Sequence, residues 1–273
     1  MVDIEKPIES QNVPSEKHQQ DINDLPVEVK ANEQNYHSGD SNEDISEESI
    51  NFKVRAGFIR KVYGILSLQL IITFGAVLLF QNDSIKSFIM SHHRLAGNLL
   101  IFSSLTFILL FLILACNRSL SRRVPYNYLF LFAITTCEAF LCAIVSSTYS
   151  FQIVSTALAL TIISTLAITF YAWNTKTNFS IYRMVFLVGF SQVVMLGFIA
   201  FLFRIEALYT AYTFAMTFIV GMYLVYDTQL ILGKFGNAYS VDDYIFATLE
   251  IYMDIVRLFL LILRILSKLN RRN

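Results

Sequence analysis

The stretch IFATLEIYMDIVRLFLLILRIL, residues 245–266, decides the fold. A membrane-crossing helix needs roughly 20 apolar residues, and this run is long enough. Yet it carries Glu250, Asp254, Arg257 and Arg264 among Ile, Leu, Val, Phe, Met and Tyr. With Leu261, these positions are spaced 4, 3, 4 and 3 apart. At the angular step of a helix they fall on one face. Charged groups facing lipid are costly, so such a helix belongs inside a bundle, its charged stripe turned to other helices or to a watery cavity. A structural Asp254–Arg257 pair one turn apart is the plainer reading of the same spacing.

Working back from this segment, apolar runs lie near 62–80, 95–115, 128–147, 152–172, 184–203 and 208–231. With 245–266 they predict an all-α polytopic membrane protein, a seven-helix bundle with the last helix central. The chain is 55% hydrophobic and 15% charged, against about a quarter charged in soluble domains. The connections are short, so residues 51–273 leave no room for a soluble catalytic domain, and no nucleic-acid partner is implied.

Charge divides the chain in two. Residues 1–50 hold 13 acids and 3 Lys, whereas 51–273 hold 8 acids and 18 Lys or Arg. The first region is polar and acidic, with Tyr36 its one aromatic residue. It buries too little apolar surface to offset chain entropy, so 1–50 reads as a disordered acidic tail in water. Its acidic start and lack of an apolar stretch exclude a signal peptide. Lys and Arg gather in alternate loops: Arg55, Arg60 and Lys61; Arg118, Arg122 and Arg123; Lys176 and Arg183; Lys234. The opposite loops hold Lys86, Arg94 and Arg204. By the positive-inside rule the N-terminus is cytosolic. Lys268, Arg271 and Arg272 break the pattern, because seven crossings put them outside. Either the last run crosses fully or it is re-entrant.

Two acids fall in the cytosolic half of the membrane. Asp227 lies about five residues, ~7 Å, from the cytosolic end of the sixth run, and Asp254 lies ~14 Å into the seventh. Adjacent packing of these helices brings the carboxylates together. Two such groups in low dielectric share a proton and titrate as a unit. When both ionise they offer hard oxygen ligands suited to Ca²⁺. Glu138 sits midway along the third run, with Thr and Ser neighbours but no cation on its own helix. It reads as a neutral acid bonded to another helix, or as a modulator of the pair along with Glu250 and Arg257. Cys116, Cys137 and Cys142 lie in or beside apolar runs and read as packing residues. His92 and His93 are adjacent and do not share a face, so they make no metal site. Asn82-Asp83-Ser84 fits the glycosylation pattern but lies too near the membrane to be used.

Several ordered motifs then carry a resemblance. Arg55-x-x-Phe58-Ile59-Arg60-Lys61-Val62-Tyr63-x-Ile65-Leu66-x-x-Gln69-Leu70-x-x-Thr73 resembles the first-helix signature of the Bax-inhibitor/lifeguard family, in its lifeguard-like branch. Tyr226-Asp227-Thr228-Gln229-Leu230-Ile231-Leu232-Gly233 resembles its sixth-helix motif. Ile251-Tyr252-Met253-Asp254-Ile255-Val256 resembles its last-helix motif. Arg122-Arg123-x-Pro125 and Thr175-Lys176-Thr177-Asn178-Phe179 match in type and order. The resemblance covers residues 55 to 268 and omits the tail. It implies a calcium-leak channel of endoplasmic reticulum, Golgi or other endomembranes that suppresses cell death, with Asp227 and Asp254 as pH sensor and Ca²⁺ site. It implies no cofactor, Ca²⁺ being cargo, and no enzyme activity; cell-death regulators and calcium-release channels are the partners. It also implies a latch from an Arg at the cytosolic end of helix two to the sixth-helix Asp, for which Arg118, Arg122 and Arg123 are candidates. Where relatives usually carry Asn three residues after the last-helix Asp, this chain has Arg257, a cation that competes with Ca²⁺ for the same oxygens.

Two other functions fit parts of the sequence. An intramembrane aspartyl protease also pairs Tyr-Asp with an Asp in the next helix. Here, however, Asp254 follows Ile251-Tyr252-Met253, with no glycine to admit a substrate backbone. A non-conducting scaffold acting through partners needs no charged stripe.

Overall fold

The computed structural model describes residues 27–234 and 239–270, with side chains from Phe52 onward except Arg118 and Ser180. The chain divides into two compact units, Met1–Lys53 and Val54–Asn273. Nine α-helices follow in order among the described residues: α1 (Val27–Leu79), α2 (Asp83–Ser91), α3 (His93–Cys116), α4 (Arg118–Arg122), α5 (Tyr126–Ser147), α6 (Phe151–Asn174), α7 (Arg183–Phe203), α8 (Glu206–Leu232) and α9 (Tyr244–Asn270). Short 3-10 turns precede α7 and α9. Helices are the expected solution in lipid, since each satisfies its own backbone polar groups. The tail expected over 1–50 meets helix from Val27 on, and residues 1–26 lie outside the described residues.

Six described helices are long and apolar enough to cross a membrane: Phe52–Leu79 of α1, then α3, α5, α6, α7 and α8. The seventh, α9, fails that test only through its charges. Its 27 residues span ~40 Å at 1.5 Å per residue. At its far end the Lys268 ammonium donates to the Glu206 carbonyl, 3.3 Å away, and to the Thr210 hydroxyl, both at the start of α8. Helix α9 therefore runs antiparallel to the full length of α8. Of the two options for the last run, α9 forms one uninterrupted helix, and Lys268 lies at the opposite end of the bundle from Arg55. Its place in the centre explains how it carries charge, for it packs on α5, α6 and α8 and keeps lipid off its stripe.

Helix α1 shows how these faces are set. Phe58, Val62, Leu66, Gln69, Thr73 and Val77 are all buried, at steps of three and four that make one helical stripe. That stripe docks on α5 and α9. Gln69 donates to Thr135 Oγ1 at 2.7 Å, and Gln81 donates to the Ser146 carbonyl at 2.9 Å. Thr248 reaches the Val62 carbonyl, and the rings of Phe74 and Phe259 meet edge-on at 5.8 Å. Helices α1, α5 and α9 are thus parallel neighbours in fixed register. On α5 the buried face is small: Ala139, Cys142, Ala143, Ser146 and Ser147. Small residues let helices approach closely where lipid removes the hydrophobic drive to associate. At the α7–α8 contact, a Cβ on Gly197 would lie 2.7 Å from the Tyr212 ring. The outward surfaces of α3 and α7 expose Phe102, Leu105, Val185 and Val188 among many apolar side chains.

Candidate functional site

The motif over Tyr226–Gln229 divides its work among its side chains. Gln229 accepts from the Phe179 amide at 3.1 Å and donates to the Thr177 carbonyl at 3.0 Å, fixing the loop before α7. Thr228 closes on the Leu224 carbonyl one turn back. Asp227 turns the other way, toward α9. It is 9% exposed, and Asp254 across from it is 6% exposed. The two carboxyl groups lie within reach of a hydrogen bond to each other.

Both acids line a cavity of about 550 Å³ walled by α3, α7, α8 and α9. Glu250, Arg257, Arg183 and Tyr223 also face it. Arg257 Nη1 lies 3.8 Å from Asp254 Oδ1, an ionic contact of i, i+3 spacing. Asp254 Oδ2 is buried with no hydrogen-bond partner. Such an acceptor costs free energy unless a donor or a cation reaches it. Glu250 accepts a hydrogen bond from the Tyr239 hydroxyl. The Tyr239 carbonyl in turn lies 3.4 Å from Arg55 Nη1, and Arg55 Nη2 donates to the Leu230 carbonyl at 2.5 Å. Arg55 so supplies one of the donors that the last carbonyls of α8 lack. Gly233, at φ 68°, ends α8 in the left-handed region, where a Cβ would lie 2.8 Å from Arg55 Nε. This chain of contacts ties the start of the bundle to one wall of the cavity.

A family profile described as "Inhibitor of apoptosis-promoting Bax1" matches residues 55–272, most of the chain and every helix that builds this cavity. The chain belongs to this family.

Curated members of the Bax-inhibitor family align over similar spans. Human protein lifeguard 3 is 31% identical over 228 residues, covering 80% of this chain and 70% of its own length. Mouse protein lifeguard 3 is 30% identical over 222 residues, 79% of this chain and 70% of its own. Mouse protein lifeguard 4 is 27% identical over 226 residues, 82% of this chain and 90% of its own.

The remaining residues singled out in the Bax-inhibitor motifs fall in separate places. Arg122 forms a two-pronged pair with Asp243, Nε to Oδ1 at 2.8 Å and Nη2 to Oδ2 at 3.0 Å. The Asp243 carboxylate holds the Arg122 guanidinium above its usual pKa, chiefly through this hydrogen-bonded contact. Asp243 also accepts from the Ser240 amide in the capping box ahead of α9. Arg122 thus locks α4 to the start of α9, and its partner is Asp243 where the latch reading expected Asp227. Arg123 is exposed, and the Arg118 side chain lies outside the described residues. The cations that share the cavity with Asp227 are Arg183 and Arg257. Arg183 was read from the sequence only as a loop charge; its position at the first residue of α7 is the one signal that could have placed it here. Glu138 does not line the cavity. It is buried on the face of α5 that meets α1 and α9, within the electrostatic reach of Arg257. Cys142, one turn on, is buried too, while Cys116 is exposed. Asn82 caps α2 by accepting from the Ser84 amide at 3.0 Å. Among the described residues no three His, Cys, Asp or Glu side chains cluster as a metal cage.

Proposed function

We propose that this protein is a pH-sensitive calcium-leak channel of an intracellular membrane, endoplasmic reticulum or Golgi, which lowers luminal calcium and thereby suppresses cell death. The observation that carries the reading is the pair of buried carboxylates, Asp227 and Asp254, facing one cavity with a carboxylate oxygen left without a partner. Two acids so placed bind one proton readily and, when ionised, present hard oxygens to a divalent cation. The absence of a three-acid cage among the described residues suits passage over storage, since Ca²⁺ wants six to eight oxygens and water must supply the rest. The charge bias of the loops supports a cytosolic N-terminal face, so the cavity opens from the cytosolic side. The names of the family profile and of the lifeguard relatives support the link to cell death.

The test is Ca²⁺ flux in liposomes containing only this protein, between pH 5 and 8. Wild type conducts with a pH-dependent rate, and Asp227→Asn and Asp254→Asn each abolish the pH dependence, because either change removes the shared proton. Normal pH dependence in both variants refutes the pair. Absence of any flux from folded wild-type protein favours the second reading, a scaffold acting through cell-death regulators or calcium-release channels. Cleavage of a helical reporter substrate would instead support an intramembrane protease.

A further inference from the structure

A second group of polar side chains lies deeper than the cavity, between α1, α5 and α9. Its level follows from the helix register. Gln69 pairs with Thr135 and Gln81 with Ser146. Position 138 of α5 therefore stands opposite positions 72–73 of α1. Val62 meets Thr248 and Phe74 meets Phe259. Positions 72–73 of α1 therefore stand opposite 257–258 of α9. Glu138, Thr73 and Arg257 share one level near the middle of the bundle, with Arg257 on the cavity wall and Asp254 one turn nearer the start of α9.

At this level one buried acceptor has no donor. Glu138 is 7% exposed and Gln69 is 3% exposed. Gln69 spends its amide on Thr135, one turn from Glu138 on the same face of α5, and its carbonyl oxygen Oε1 is buried with no partner. Thr73 donates to the Gln69 backbone carbonyl, so its proton is spent as well. Among the described residues the formal cation acting on Glu138 is Arg257, which also acts on Asp254. A buried carboxylate one helical turn from the residue that holds an orphaned amide oxygen offers an all-oxygen donor set, the kind that hard divalent cations select.

We propose that Glu138 and the side-chain oxygen of Gln69 form a second cation station at mid-bundle, that this station takes a hard, oxygen-seeking divalent cation, and that Arg257 is the tethered cation competing for it. The inference rests on the leak reading above and adds the inner half of the route. On this route a cation leaving Asp254 meets Glu138 at the next level, and Arg257 acts on both acids. Its guanidinium neutralises whichever carboxylate the ion does not occupy. Beyond Glu138 the polar face of α5 continues through Ser146 and Ser147 to Gln81 and Lys86.

The contrary reading has Glu138 permanently neutral and donating its proton to Gln69 Oε1. Glu138→Gln separates the two, because the amide keeps that donor and removes the charge. The experiment measures Ca²⁺ flux through the full chain in phosphatidylcholine liposomes, with Asp254→Asn as reference and melting in detergent as the fold check. Glu138→Gln should lower flux by roughly tenfold, the order expected when a charged ligand leaves a low-dielectric site. Gln69→Leu should lower it less, Glu138→Asp should restore part of it, and Arg257→Gln should raise it. Raising should fail in the Glu138→Gln background, since the two side chains act on each other. If wild type conducts and responds to Asp254→Asn while Glu138→Gln conducts normally, the station is wrong and the leak reading stands. If wild type does not conduct, the leak reading itself fails. Should Glu138→Gln not fold, Arg257→Gln decides alone, and unchanged flux overturns the proposal.

Discussion

Removing the hydroxyl of Tyr252 should cost less stability than removing that of Thr73, although the two share one hydrogen bond. Both side chains are 0% exposed, and their oxygens lie 2.8 Å apart. Thr73 Oγ1 also lies 2.9 Å from the Gln69 carbonyl, which can only accept. The single Thr73 proton goes there, so Tyr252 is the donor between the two hydroxyls. In Tyr252→Phe, Thr73 keeps its own donation and loses only an accepted bond. Interhelical hydrogen bonds in membranes average about 0.6 kcal/mol and reach about 1.7, which sets the expected loss. In Thr73→Val the methyl replaces the acceptor, and a buried Tyr252 hydroxyl is left with nothing to receive its proton. That orphaning costs about 1–3 kcal/mol. The double variant has no orphan and should cost no more than Thr73→Val alone. Equilibrium unfolding of the four proteins in mixed micelles measures all three differences. If Tyr252→Phe costs as much as Thr73→Val, or if the two losses add within about 0.3 kcal/mol, the assigned proton direction is wrong.

Further outcomes follow from contacts elsewhere in the bundle. Gly233→Ala should destabilise by about 1–2 kcal/mol from the left-handed backbone alone, and added to Arg55→Ala it should cost less than on its own, because its Cβ then has no guanidinium to displace; thermal melts of the three variants check this. Single-cysteine labels at Lys234 and Lys268 should react with an impermeant maleimide from opposite sides of a sealed vesicle, since these residues end α8 and α9 at opposite faces. Arg122→Gln should lower the melting temperature by the same amount at pH 7 and pH 9. Its folded pKa is raised, so the contribution persists below the ordinary arginine value and fades only as pH climbs above it.

Much of the architecture was written in the apolar runs, because a helix in lipid must announce itself by length and hydrophobicity. The runs near 128–147 and 184–203 differ from α5 and α7 by at most two residues at either end. The central position of α9 was legible for the opposite reason, an apolar helix too charged to face lipid. The depth of Asp227 and Asp254 likewise follows from counting residues to the helix ends. What the sequence hides is anything that depends on rotation about a helix axis or on a loop folding back. Tyr239, ahead of α9, reaches Glu250 inside it, and no helical spacing links the two. Arg122 finds Asp243 across more than a hundred residues, and no spacing rule links them. Gln69 looked like part of a signature, yet its unpaired oxygen is a fact of packing.

The register that holds α1 against α5 also has a mechanical meaning. Gln69 on α1 and Gln81, two residues past its end, grip α5 at two heights, 12 residues apart in the chain. A rod clamped twice cannot slide or twist against its support without losing both grips together. Helix α9 is held to α1 in the same way, by Thr248 on the Val62 carbonyl and by the Thr73–Tyr252 pair, so α1, α5 and α9 form one clamped body. A motion that widens the cavity then falls to the walls on its other side, α3 and α7, with that body as the fixed rail.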